Sequence, residues 1–219
     1  MRLSHAMKTG LFLVALCLCV HGQSNETKGL PPRNTPADYQ AQAKAGTVTL
    51  AAEFAGHSVP TAQETFSTED YVVVETGLFG PQEARLTLSM DDFSLRINGK
   101  KMAVPSQPFA LILKSLKDPD WVPPDAGEPK SKSKGGLTGG GGGDKGGGDD
   151  PPPAPAKMPL ELQRAMAQKV QKAVLPEGDR ALPVAGLLFF PYRGKTDSIR
   201  SMELIYAGRA GKATLALQP

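Results

Sequence analysis

Few residues in this chain could do chemistry, and most of them stand where they cannot cooperate. The 219 residues include three histidines and two cysteines. His5, Cys17, Cys19 and His21 all fall within residues 1–22. That stretch has the form of a secretory signal: Arg2 and Lys8 precede an apolar run from Leu11 to Val20, and Val20-His21-Gly22 is a small-x-small cleavage site. A run of about ten residues is too short to span a bilayer. Cleavage before Gln23 leaves no thiol, and leaves His57 as the one imidazole. An uncleaved N-terminal anchor is the alternative. A lipoprotein signal needs small residues ahead of its cysteine, where this chain has Leu16 and Leu18.

Each catalytic or ligand class then meets an obstacle. Ser-His-Asp and Cys-His nucleophiles need a histidine base or a thiol. Zinc sites need several His or Cys ligands. His57, in His57-Ser58-Val59-Pro60, reads as a loop residue. Glu69-Asp70 and Asp91-Asp92 are paired carboxylates, the currency of general acid–base work. Adjacent residues on a strand point to opposite faces, so neither pair converges on one substrate. Asp91-Asp92 fits a strand turn better. A hydrolase assembled from distant carboxylates is the catalytic alternative. Gly143-Asp144 and Asp149-Asp150 mix glycine with carboxylate as calcium repeats do, yet lack their fixed period. The sequence therefore assigns no catalytic, cofactor-binding or metal residue, and implies no cofactor.

Charge narrows the partners. Losing Arg2 and Lys8 leaves 23 of 25 Lys and Arg against 22 Asp and Glu. A nearly neutral mature chain offers no basis for phosphate neutralisation, so nucleic acid is not an expected partner. Without cysteines an exported domain must rely on its core alone.

The elements that would position these residues are mostly strands, centred on Tyr71–Pro105. Tyr71 to Val74 is β-branched and aromatic, and Val72, Val74, Thr76 and Leu78 share a face at period two. Gly80-Pro81 breaks the strand. Leu86, Leu88 and Met90 alternate with polar residues, as do Phe93, Leu95 and Ile97. Asn98-Gly99 predicts a two-residue hairpin, with Lys100–Val104 returning. Val48 to Phe54 reads as an earlier strand. Leu187 to Phe190, Met202 to Tyr206 and Ala213 to Leu217 read as later ones. The wet faces point to antiparallel pairing.

Three stretches carry helical signals, and two short flanking helices are expected. Thr35 and Pro36 look like a cap and first position for Ala37–Ala45, ended by Gly46. Phe109, Ile112, Leu113 and Leu116 fall on one helical face, though the run is β-rich enough to be a strand. Pro159 opens the clearest helix, with Leu162, Ala165, Met166, Val170 and Ala173 inward, and Pro176 ends it. Trp121, the single tryptophan, is expected to pack the end of the second helix onto the core.

Composition divides the chain further. Residues 23–46 form a polar leader with the short helix, and residues 47–121 the first part of a β-sandwich with a helix. Residues 122–157 hold Lys130-Ser131-Lys132-Ser133-Lys134, two glycine runs and Pro151-Pro152-Pro153, a linker too polar to offset its ordering entropy. A flexible chain of about 35 residues spans roughly 30–35 Å, enough for the flanking segments to pack together. Residues 158–219 supply a helix and the closing strands of the same domain.

About seven antiparallel strands with frequent turns suggest an immunoglobulin-like sandwich. Asp92-Phe93-x-Leu95 with Gly99 and Pro105 resembles the acidic-Phe-x-Leu hairpin of bacterial immunoglobulin-like domains. Gly186-x-x-Phe189-x-Pro191 and Leu204-x-Tyr206 resemble their later strands. The chain as a whole is similar to uncharacterised exported acidobacterial proteins. The likeness covers residues 47–105 and 183–217 and carries no catalytic residue. It implies a mainly β fold and a periplasmic or extracellular address. The expected role is a non-catalytic binding or structural module with an envelope or secreted protein partner and no membrane span after signal cleavage. Edge strands that can accept a partner strand, with a polar insert, motivate that role; binding of a glycan or small ligand is the alternative.

Overall fold

The computed structural model describes residues 28–123 and 157–219. The signal-type stretch, and all of the linker but Val122, Pro123 and Lys157, lie outside the described residues. In chain order the elements are β1 (Ala41–Ala45), β2 (Val48–Gly56), β3 (Ser58–Pro60), β4 (Thr65–Thr68), β5 (Tyr71–Phe79), β6 (Arg85–Leu88), β7 (Phe93–Ile97), β8 (Val104–Pro105) and α1 (Phe109–Ile112). β9 (Leu116–Lys117), α2 (Leu160–Ala173), β10 (Gly178–Ala181), β11 (Val184–Pro191), β12 (Met202–Gly208) and β13 (Gly211–Leu217) complete the order. The protein is mainly β, and its strand pairings are antiparallel.

Two four-stranded sheets face each other. One has the order β1-β2-β5-β11, the other β13-β12-β7-β8. Between them lies one apolar core. Leu50, Val72, Val74, Leu78, Leu188 and Phe190 come from the first sheet, and Phe93, Leu95, Met202, Leu204, Tyr206 and Leu215 from the second. Alternation with short turns produces this arrangement directly. Met202, Leu204 and Tyr206 are buried while Glu203 and Ile205 are not, and Ala213, Leu215 and Leu217 alternate with exposed neighbours. Burying a Leu or Phe side chain contributes on the order of 1.5–3 kcal/mol, so this alternation outweighs local propensity.

β5 differs from a half-wet strand. Val73 is as buried as Val72 and Val74, because the outer face of its sheet is also covered. A second cluster there joins Val73, Leu187 and Phe189 to Val59, Phe66, Ile112, Leu116, Met166 and Val170. The small sheet β3-β4-β9 and helix α2 supply that cover.

Farther along the same face, residues 28–40 form a strap. Arg33 reaches Glu75 through Nη2 at 2.9 Å and also pairs with Glu53. Its guanidinium lies 4.5 Å from the Tyr39 ring centroid. Gly77 leaves the room this needs, since a Cβ there would stand 2.7 Å from the Tyr39 hydroxyl oxygen. Gly29 lies against the Ala185 carbonyl, where a Cβ would come within 2.1 Å. Residues 28–34 thus belong to the folded body rather than to a separate polar leader.

Four local expectations change in the tertiary structure. Ala37–Ala45 is not a helix: a 3₁₀ turn at Pro36–Asp38 leads into β1. Gly46 takes a φ of +61°, and the turn pairs Ala45 with Val48. An isolated nine-residue helix gains too little to compete with that ladder. At Asn98-Gly99 both residues have positive φ (54° and 62°), as a type I′ turn requires, and Lys100 N–H donates to the Ile97 carbonyl. The return strand nevertheless pairs only at Val104–Pro105. Lys100, Lys101 and Met102 are exposed, which keeps charge along that edge. The Phe109–Leu116 run divides into a helical turn, a 3₁₀ turn at Leu113–Ser115 and β9. Finally, α2 buries Met166, Val170 and Ala173 but leaves Leu162 and Ala165 exposed, because its first turns extend past the elements it packs on.

Candidate functional site

The first turns of α2 form one wall of an apolar cleft of about 580 Å³. Leu160, Gln163, Arg164 and Ala167 line it at i, i+3, i+4 and i+7, one helical stripe. Pro159 starts the helix; Gln163 N–H donates to the Pro159 carbonyl at 3.1 Å, and Gln163 Nε2 to the Met158 carbonyl at 2.7 Å. The facing wall is the segment from Leu113 to Pro123. Leu116 and Met166 are the buried floor.

The facing wall is fixed by a buried polar pair. The hydroxyls of Thr68 and Ser115 lie 2.8 Å apart, and Ser115 donates to the Ile112 carbonyl at 2.9 Å. The β4–β9 ladder holds Leu116 and Lys117 beside Thr68 and Ser67. Asp118 then turns the chain: its carboxylate accepts from the Asp120 N–H at 2.9 Å and its carbonyl from the Trp121 N–H at 3.3 Å. Trp121 is half-buried at the cleft and belongs to neither apolar cluster. The expectation that it packs a helix end onto the core is corrected: α1 is too short to reach it.

The lining is lopsided in charge. Lys114, Lys117 and Arg164 face Asp118. Lys117 pairs with Glu69, whereas Lys114 and Arg164 make no ion pair among the described residues. Leu160 is 58% exposed and Leu113 41%, so the mouth is apolar as well.

The residues with chemical potential lie elsewhere and apart. His57 sits in the turn between β2 and β3. Its Nδ1 is 2.7 Å from the Tyr71 carbonyl oxygen and its Nε2 2.9 Å from that of Gly194, with the ring stacked on Tyr192. Both ring nitrogens are thus used to tie two segments together. Glu69 and Asp70 lie in the bend between β4 and β5, where Glu69 pairs with Lys117 and Asp70 reaches Arg193 at 2.9 Å. Asp91 and Asp92 lie in the 3₁₀ turn Met90–Asp92, where Ser89 Oγ accepts from the Asp91 N–H. Burial pushes the Asp92 carboxyl above the usual carboxylate range, against the lowering effect of a hydrogen bond from the Ser89 backbone. Burial likewise raises the Tyr206 phenol beside it. Among the described residues no group of three or more His, Cys, Asp or Glu side chains is placed to hold a metal. Asp144 and Asp149-Asp150 lie outside the described residues.

Sequence reasoning missed the cleft. Its signals were a lone tryptophan after Asp118-Pro119-Asp120 and leucines at the start of a helix with nothing downstream to cover them. Comparison with family models, curated proteins and solved structures finds no match to this chain.

Proposed function

We propose that this protein is an exported, non-catalytic binding module that acts through protein–protein contacts, with the cleft beside α2 as its contact surface. The observation that carries the reading is that cleft: about 580 Å³ of apolar space with exposed Leu113 and Leu160 at its mouth and the only tryptophan at its side. Exposed apolar residues gathered in one place are stabilised by a partner that removes them from water, and a tryptophan makes a strong anchor for it. The Leu11–Val20 run and the Val20-His21-Gly22 site support export, and hence an envelope or secreted partner. Two antiparallel sheets over a common core support an immunoglobulin-like sandwich, to which α2 and β3-β4-β9 are additions.

Contact through side chains fits better than addition of a strand. The outer edge of β11 is already occupied by this chain: Leu30 bridges Ala185, Leu175 N–H donates to the Leu187 carbonyl at 3.1 Å, and Gln107 N–H to the Phe189 carbonyl at 2.8 Å. A small apolar ligand is the second reading, because the cleft volume falls within the roughly 300–1,000 Å³ of ligand pockets. A photo-crosslinking side chain at position 160 of the exported protein separates them. A single stoichiometric protein adduct, lost in Trp121→Ala, is the expected result. No adduct above background would overturn the protein-contact reading.

A further inference from the structure

We infer that the cleft takes a peptide segment whose aliphatic side chains are flanked by carboxylates. This rests on the binding-module reading above and adds the chemistry of the partner. The cleft offers two features together. Its floor, Leu116 and Met166, is apolar and buried, and suits aliphatic anchors. Its walls carry a cation on each side, Lys114 opposite Arg164, and neither makes an ion pair among the described residues. Both are exposed, so neither bears a desolvation cost before the partner arrives.

A segment seated on that floor therefore has a positive charge at both flanks. Carboxylates beside its anchors meet Arg164, whose planar fork accepts a carboxylate in two-point fashion, and Lys114, which acts as a point charge. Asp118 is the single lining carboxylate among the described residues, so a basic segment would meet net repulsion. Lys117 shares its charge with Glu69 and contributes less.

The test uses the full mature chain and two fluorescein-labelled synthetic peptides. Both carry leucines at helical spacing; one has glutamates between them, the other lysines. The glutamate peptide is expected to bind about tenfold or more tightly at low salt, with the gap closing as salt rises. The double variant K114E/R164E should reverse the preference, a gain that a misfolded protein could not produce. Equal binding of both peptides, abolished by Trp121→Ala, would overturn the charge inference and leave the cleft reading standing. No binding of either peptide, with the position-160 adduct still formed, would also overturn it. A synthetic peptide of residues 144–156 competing at least as well would assign the groove to the chain itself. A dimer dissociated by Leu160→Asp in sedimentation would assign it to a second copy. Either result overturns the proposal.

Discussion

At the scale of single residues, the strongest polar cluster is structural. Arg33 holds Glu53 and Glu75 on the outer face of the first sheet, and its guanidinium is pushed up mainly by the hydrogen bond to Glu75. The Glu75 side chain is only 14% exposed, so removing its partner leaves a poorly hydrated carboxylate beside a second one. Arg33→Ala is expected to cost about 2–3 kcal/mol in chemical denaturation, and Arg33→Lys to recover only part of it, since an ammonium cannot reproduce the fork. Asp92 behaves in the opposite sense. Its folded pKa is raised, mainly by burial, so the folded state holds the proton more tightly than the unfolded chain. This contribution destabilises above the folded pKa and disappears as pH falls below the unfolded value. Asp92→Asn should therefore gain stability relative to the parent at pH 7 and lose that advantage near pH 3. Urea melts at both values read the difference, and an advantage unchanged with pH would contradict it.

At the scale of elements, close approach is what fixes how α2 rejoins the sheet. The helix ends at Ala173, and Val174 and Leu175 run along β11, with Val174 bridging Leu187. A Cβ at Gly186 would lie 2.3 Å from the Leu175 Cα and 2.4 Å from its nitrogen. Both clashes are with backbone, which cannot rotate away as a side chain could. Gly186→Ala is expected to destabilise by about 3 kcal/mol or more, read as a lowered melting temperature with loss of the Val174–Leu175 protection in hydrogen exchange. The Asn98 side chain shows a second way to fix an element. It donates to the Ser198 carbonyl at 3.1 Å and accepts from the Arg200 N–H at 2.6 Å, so the β7 turn pins the entry to β12.

At the scale of the whole molecule, strands from the two sides of the insert share every large sheet. β11 pairs with β5, β10 with β6, and β12 with β7. Proteolytic cleavage within Gly139–Gly148 should therefore leave two fragments that co-elute in gel filtration under native conditions and separate only in denaturant. Independent elution of the fragments would contradict a single folded body.

Taken by itself, the sequence determined β2, β5, β6, β7, β11, β12 and β13, because alternation of apolar and polar residues is local and survives any arrangement of the sheets. Leu204 and Tyr206, or Leu215 and Leu217, can face only one way once a core exists. It also marked the Asn98-Gly99 turn, whose positive φ angles few other dipeptides tolerate. Only the tertiary structure decided three things. Ala41, Ala43 and Ala45 carry the same alternation with side chains too short to announce it, and they become a strand because β2 offers a ladder. Val73 is buried because α2, some ninety residues later in the chain, covers that face. The cleft exists because the first turns of α2 overrun the sheet beneath, leaving Leu160 and Trp121 across from each other. Its residues come from 113–123 and 158–167, and no spacing within either stretch could reveal that they meet.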